Sequence, residues 1–122
     1  MASPPQRRFN RAMRIKQGRD FARIRQEGRR LVQGCLVANW RPLPAGSPNR
    51  LGVITGKKIG IAVTRNRARR LMREAFRLHQ HDLTQPVDLV LVAQRSIVDK
   101  AFAAVEKDYL TLLRKAGLLK QQ

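Results

Sequence analysis

The chain has 122 residues, 43% hydrophobic but only 5% aromatic, and its 26 Lys and Arg against 8 Asp and Glu leave a net charge of +18 and a pI near 11.9. That length suits one domain, and the apolar fraction supports a core of Leu, Val, Ile and Ala, which excludes wholesale disorder. The charge far exceeds the ~2–8 that keeps a small domain soluble, and self-repulsion on this scale destabilises a compact state, so a polyanionic partner is implied.

Residues 1–16 hold Arg7, Arg8, Arg11, Arg14 and Lys16 with no acid, and read as a flexible basic arm. The pattern from Gln17 to Glu27 predicts a short helix closed by Gly28, with Phe21 and Ile24 on one face. Leu31–Trp40 is dense enough in apolar residues for a buried strand, and Arg41–Arg50, with three prolines and a glycine, is a loop. Residues 51–58 read as the return strand, paired antiparallel to the first as the simplest connection. After the basic segment discussed below, His79–Pro86 is polar punctuation, with both histidines expected in solvent. Val87–Arg95 is the clearest strand, β-branched and bounded by Pro86 and Ser96. Ser96 and Asp99 suggest a capping box for a last helix, in which Phe102, Val105, Tyr109, Leu112 and Leu113 recur at helical spacing before Gly117 stops it. The order of elements indicates one α/β domain over residues 17–119.

Between Glu27 and Glu74 there is no acidic residue. On a wheel of ~100° per residue, Arg65, Asn66, Arg67, Arg69, Arg70, Arg73 and Arg77 fill one arc of roughly 200°. Ala68, Leu71, Met72, Ala75, Phe76 and Leu78 fill the opposite one, so the segment is an amphipathic helix anchored on a core. Ordinary surface helices mix Glu with Lys, whereas Arg65/Arg69, Arg69/Arg73 and Arg73/Arg77 are like-charge pairs at i, i+4, each with a small penalty that phosphates offset. Thr64 is the expected cap of its first turn. Arg also outnumbers Lys, and its planar fork suits phosphate and base stacking, which favours nucleic acid over a membrane.

The stretch KKIGIAVTRNRARRLMREAFR, from Lys57 to Arg77, resembles the signature of the bacterial ribonuclease P protein component. The match covers Lys57, Lys58, Gly60, Ala62, Val63, Arg65, Asn66, Arg67, Arg69, Arg70, Arg73, Glu74 and Arg77. RIKQGRDFARIRQEG, RLGVITGKK and DLVLVAQRS resemble the family's first helix, a strand and a later buried strand. The resemblance implies a sandwich of a mostly antiparallel sheet of about four strands packed with about three helices, with a left-handed crossover around the basic helix. It implies a cytoplasmic endoribonuclease holoenzyme in which a catalytic RNA, with magnesium ions, removes the 5′ leader of precursor tRNA. It also implies a protein present in one copy per RNA that supplies no catalytic residue and binds no metal itself.

Carried over position by position, Arg65, Asn66, Arg67 and Arg70 are expected on the catalytic RNA, Arg69 and Arg73 on that RNA or the leader, and Lys57, Lys58 and Arg77 on phosphates. Phe21 matches the family's aromatic in the leader cleft. Arg25 stands where a second aromatic is common, Asn39 where the first strand has one, with Trp40 facing the other way, and Ile61 where Asn is usual. Leader binding is therefore expected to rest on charge (Arg25, Lys58, Arg69) more than on stacking.

Other chemistry finds little support. Cys35 is a lone cysteine in an apolar run, which leaves no intramolecular disulfide and no multi-cysteine zinc site. His79 and His81 diverge on a helix, and Asp82, Asp88 and Asp99 read as caps or surface charges rather than a two-metal cluster. No stretch approaches the ~20 apolar residues of a membrane span. The alternative is a non-enzymatic RNA-binding protein, such as a ribosomal protein or RNA chaperone, which composition alone supports equally.

Overall fold

The computed structural model describes residues 13–15 and 18–120. Its elements are α1 (Gly18–Glu27), β1 (Arg29–Gln33), β2 (Leu36–Pro42), β3 (Arg50–Ile54), α2 (Ala62–His79), β4 (Val87–Ala93) and α3 (Phe102–Ala116), with short 3₁₀ turns at Lys57–Ile59, Gln80–Asp82 and Arg95–Ile97. The mixed α/β class, the four strands and the three helices match the expectation.

Gly34 corrects the first strand. The expected single strand over 31–40 is a hairpin, β1 to β2, because Gly34 adopts φ 55 and turns the chain between Gln33 and Leu36, which face each other. Asp108 on α3 accepts the Cys35 N–H at 3.0 Å, and its carboxylate lies where a Cβ at Gly34 would stand, so a larger residue there would break the turn and its tether together. Cys35 is fully buried, as expected, and burial, reinforced by Asp108, pushes its thiol up to about 12.

The expected hairpin between the first two apolar runs does not form. The sheet order is β1-β2-β4-β3: β4 pairs antiparallel with β2 (Leu36 opposite Ala93, Pro42 opposite Val87) and parallel with β3 (Arg50 opposite Asp88, Ile54 opposite Val92). β4 takes the centre because six of its seven residues are buried, so both its faces are covered. The proline-rich loop crosses the start of β4, held by Leu43 N–H to Pro86 O (2.9 Å) and Val87 N–H to Asn49 Oδ1 (2.9 Å). α2 is then the crossover between two parallel neighbours.

Strand alternation gives each sheet face its own helices. Leu36, Ala38, Trp40, Leu51, Leu89 and Leu91 pack with Met72 and Phe76 of α2 and Tyr109, Leu112 and Leu113 of α3. The other face carries Val90, packed with Ile24 of α1 and with Ile15, and edged by Phe21, Ile54 and Val92. Met72 and Phe76 have no exposed surface, and each contributes ~1.5–3 kcal/mol of burial, which anchors α2 against its like-charge repulsion.

Two cap assignments fail. The N-cap of α2 is Ile61, without a side-chain cap bond, and Thr64 lies inside the helix. Ser96 belongs to a 3₁₀ turn pinned by fully buried Ile97, and α3 starts later, at Phe102 after Ala101. Gly117 does stop α3, at φ 74, with Gly117 N–H on Arg114 O and Leu118 N–H on Leu113 O.

The basic arm expected over 1–16 lies outside the described residues except at 13–15. There the chain runs beside β3: Arg14 bridges Leu51, and Ile15 N–H donates to Leu51 O at 2.9 Å.

Candidate nucleic-acid interface

α2 sorts its side chains as the wheel requires, with Ala68, Met72, Ala75 and Phe76 buried and the arginines turned outward or half-buried. Asn66, Arg70, Arg73 and Arg77 come together, with Arg14 and Glu74, along a groove of about 410 Å³. A second hollow of about 200 Å³ shares Arg14 and Arg73 and reaches Leu51, Gly52 and Val53 of β3. Burial lowers the pKa of Arg73 first, and repulsion from Arg14 and Arg69 lowers it further.

The other expected contacts point elsewhere. Arg69 donates to Thr55 Oγ1 at 2.5 Å and to the Asn66 side chain, which holds it near the end of β3. Arg67 donates to the carbonyls of Lys100 (2.7 Å) and Val98 (3.4 Å) and so braces the approach to α3. Arg65 is half-buried, and its Nε is sealed from solvent without a hydrogen-bond partner. Lys57 and Lys58 are exposed on the turn before α2.

Phe21 and Arg25 meet on the opposite sheet face, where they line a shallow surface with Asn39, Ile54, Val90 and Val92. Asn39 points there while Trp40 is buried in the main core, as strand alternation predicts. Phe21 rests on β3 at Gly52, where an added Cβ would stand 2.5 Å from the ring's Cε1. Neither Lys58 nor Arg69 lines this surface.

All the carboxylates except the exposed Asp99 are engaged within the fold. Asp88, expected as a cap or surface charge, is fully buried between Arg50 (2.7 and 2.8 Å) and Arg41 (3.3 Å). Arg41 reaches Glu27 at 3.2 Å and Arg50 reaches Asp20 at 3.9 Å, so the network clamps both ends of α1 to the sheet. The hydrogen bonds to Asp88 raise the pKa of Arg50. Glu74 is held by Arg77 at 2.5 and 2.9 Å, which keeps its carboxyl below the usual range. His79, expected in solvent, is half-buried, with Nδ1 3.2 Å from Asp82 and Nε2 2.8 Å from Glu106.

The sequence pattern missed Arg14 because it sits in a run of basic residues. The available signal was the apolar pair around it, Met13 and Ile15, both of which pack against core residues.

A small α/β protein that engages all but one of its acids internally and turns an arginine-lined helix outward is, as a class, a binder of nucleic-acid backbone. The family model described as Ribonuclease P matches residues 9–117. The ribonuclease P protein component of Syntrophomonas wolfei is 39% identical over 105 residues, covering 86% of this chain and 87% of that one. The component of Symbiobacterium thermophilum is 33% identical, over 93% and 99%. Among solved structures, the Staphylococcus aureus RNase P protein matches with a TM-score of 0.81 at 27% identity, over 90% of this chain and 100% of that one. The Thermotoga maritima RNase P protein matches with 0.74 at 29%, over 84% and 96%. The chain belongs to the ribonuclease P protein family.

Proposed function

We propose that the chain, one copy per catalytic RNA, forms a cytoplasmic holoenzyme that removes the 5′ leader of precursor tRNA by RNA catalysis. The observation that carries this reading is the joining, on one helix, of the Arg65-Asn66-Arg67 spacing and an arginine-lined groove. Arg65, Asn66, Arg70 and Arg77 engage phosphates of the catalytic RNA and Arg73 those of that RNA or of the leader, with Lys57 and Lys58 extending the contact past the helix start. Arg67 joins them through whatever part of its fork the carbonyls leave open. The leader lies across the Phe21 and Arg25 surface, where an aromatic and a cation hold a single strand without reading its sequence. Arg69, held between the two faces, meets whichever strand passes the end of β3.

The protein's contribution is electrostatic: it offsets repulsion between two RNAs and positions one of them. Magnesium, which activates water in this reading, belongs to the RNA. Among the described residues no group of three or more His, Cys, Asp or Glu is arranged to hold a metal, and Asp88 is neutralised by two arginines.

Reconstitution tests the proposal. Purified protein with its cognate catalytic RNA is expected to cleave precursor tRNA at low magnesium faster than the RNA alone. No enhancement with correctly folded RNA refutes it and leaves a generic RNA-binding protein.

A further inference from the structure

Arg14 lies before α1, apart from the arginine arc of α2, yet the two hollows described on this side of the protein are both lined by it and by Arg73. Its backbone is fixed by the bridge to Leu51 and by the neighbouring Ile15 N–H bond. Its guanidinium is exposed and close enough to Arg73 to repel it. Among the described residues the larger groove is lined by four arginines and one carboxylate, Glu74, which pairs with Arg77. The smaller hollow is also lined by Gly52, against which the Phe21 ring rests.

Resting on the reading above, we infer that Arg14 and Arg73 form a seat for one RNA backbone phosphate. Through it the segment before α1 and the helix α2 grip a single strand together, where it passes from the α2 face toward the Phe21 face. The chemistry supports a phosphodiester over a carboxylate or a small neutral ligand. Arg14 and Arg73 bring forks from two different elements to the same hollows, and a planar fork suits the paired free oxygens of a phosphodiester. Asn66 adds a neutral polar group to the same wall. The like charges of Arg14 and Arg73 repel each other, and an anion between them attracts both. The phosphate comes either from the precursor's leader or from the catalytic RNA.

The test uses the full chain with its catalytic RNA, comparing wild type, Arg14→Ala, Arg14→Lys and Arg114→Ala. The last removes the same charge from the exposed end of α3. Two affinities are measured across a salt series: protein for catalytic RNA, and holoenzyme for precursors with a long or a one-nucleotide leader. Arg14→Ala is expected to weaken one of them roughly tenfold and to flatten its log–log salt slope by about 0.7, one phosphate contact to a single strand. Arg14→Lys, with charge but no fork, is expected to lie between. A loss that disappears with the one-nucleotide leader assigns the phosphate to the leader, and a loss in catalytic-RNA binding assigns it to that RNA; either supports the seat. Wild type that binds normally while Arg14→Ala behaves as Arg114→Ala refutes the seat alone. Wild type that fails to bind the RNA refutes the functional reading and the seat with it.

Discussion

Replacing Asp88 with Asn tests whether the buried carboxylate holds α1 to the sheet. Asp88 is fully buried, while Arg41 and Arg50 keep 22% and 29% of their side-chain surface exposed. Breaking a buried pair by removing one partner costs ~3–5 kcal/mol, because the remaining charges stay desolvated. Here Arg41 retains Glu27 and Arg50 retains Asp20, so the lower end applies, about 3 kcal/mol. For a chain of this size that lowers Tm by about 12 °C. Asp88→Asn also raises an already large net charge, so the control is Asp99→Asn, which makes the same charge change at an exposed position. Urea unfolding at fixed ionic strength measures both. The expected result is a much lower midpoint for Asp88→Asn with an unchanged slope, and a shift within about 0.5 kcal/mol for Asp99→Asn. Equal shifts for the two variants would show that net charge, not the buried network, sets the effect.

Gly52→Ala places a methyl where the Phe21 ring lies and forces the ring away from the sheet. Overpacking costs ~1–3 kcal/mol, and the half-exposed ring can swing, so about 1 kcal/mol is expected with a clear change in leader-dependent affinity; unchanged affinity would separate Phe21 from the leader. Arg25→Ala and Phe21→Ala are each expected to reduce leader-dependent affinity by about 1 kcal/mol, read as the difference between long- and short-leader precursors. A large loss for Phe21→Ala with none for Arg25→Ala contradicts the charge-based account of this surface.

The parts of the fold legible in the sequence are those written in local periodicity. α2 announces itself because Ala68, Met72, Ala75 and Phe76 recur at helical spacing against unbroken arginine, and β4 because it is a long β-branched run behind a proline. Strand pairing is not local, so nothing within residues 31–58 reveals that β4 would insert between β2 and β3. Gly34 does not stand out as a turn because apolar residues flank it closely on both sides. Asp88 looked like a strand-end surface charge because its arginine partners lie 38 and 47 residues earlier in the chain. The site divides the same way. The arginine arc on one helix is visible on a wheel, but the carbonyls that hold Arg67 and the Thr55 hydroxyl that holds Arg69 belong to other elements. Arg14 depends on a bridge to Leu51, a pairing no pattern around residue 14 encodes.

The sheet order also dictates when the protein can fold during its own synthesis. β4 is the last strand in the sequence and sits in the middle of the sheet, so until residue 93 has left the ribosome β2 and β3 lack the neighbour that joins them. Before then the nascent chain holds a β1–β2 hairpin and the strongly basic α2, without the wall on which Met72 and Phe76 pack. Pairings of such wide sequence separation close slowly, and open strand edges are prone to mispairing. A half-made chain is thus already an arginine-rich polycation beside ribosomal RNA before it has a core. The step that ends this exposure is the arrival of one apolar strand between two that are waiting for it.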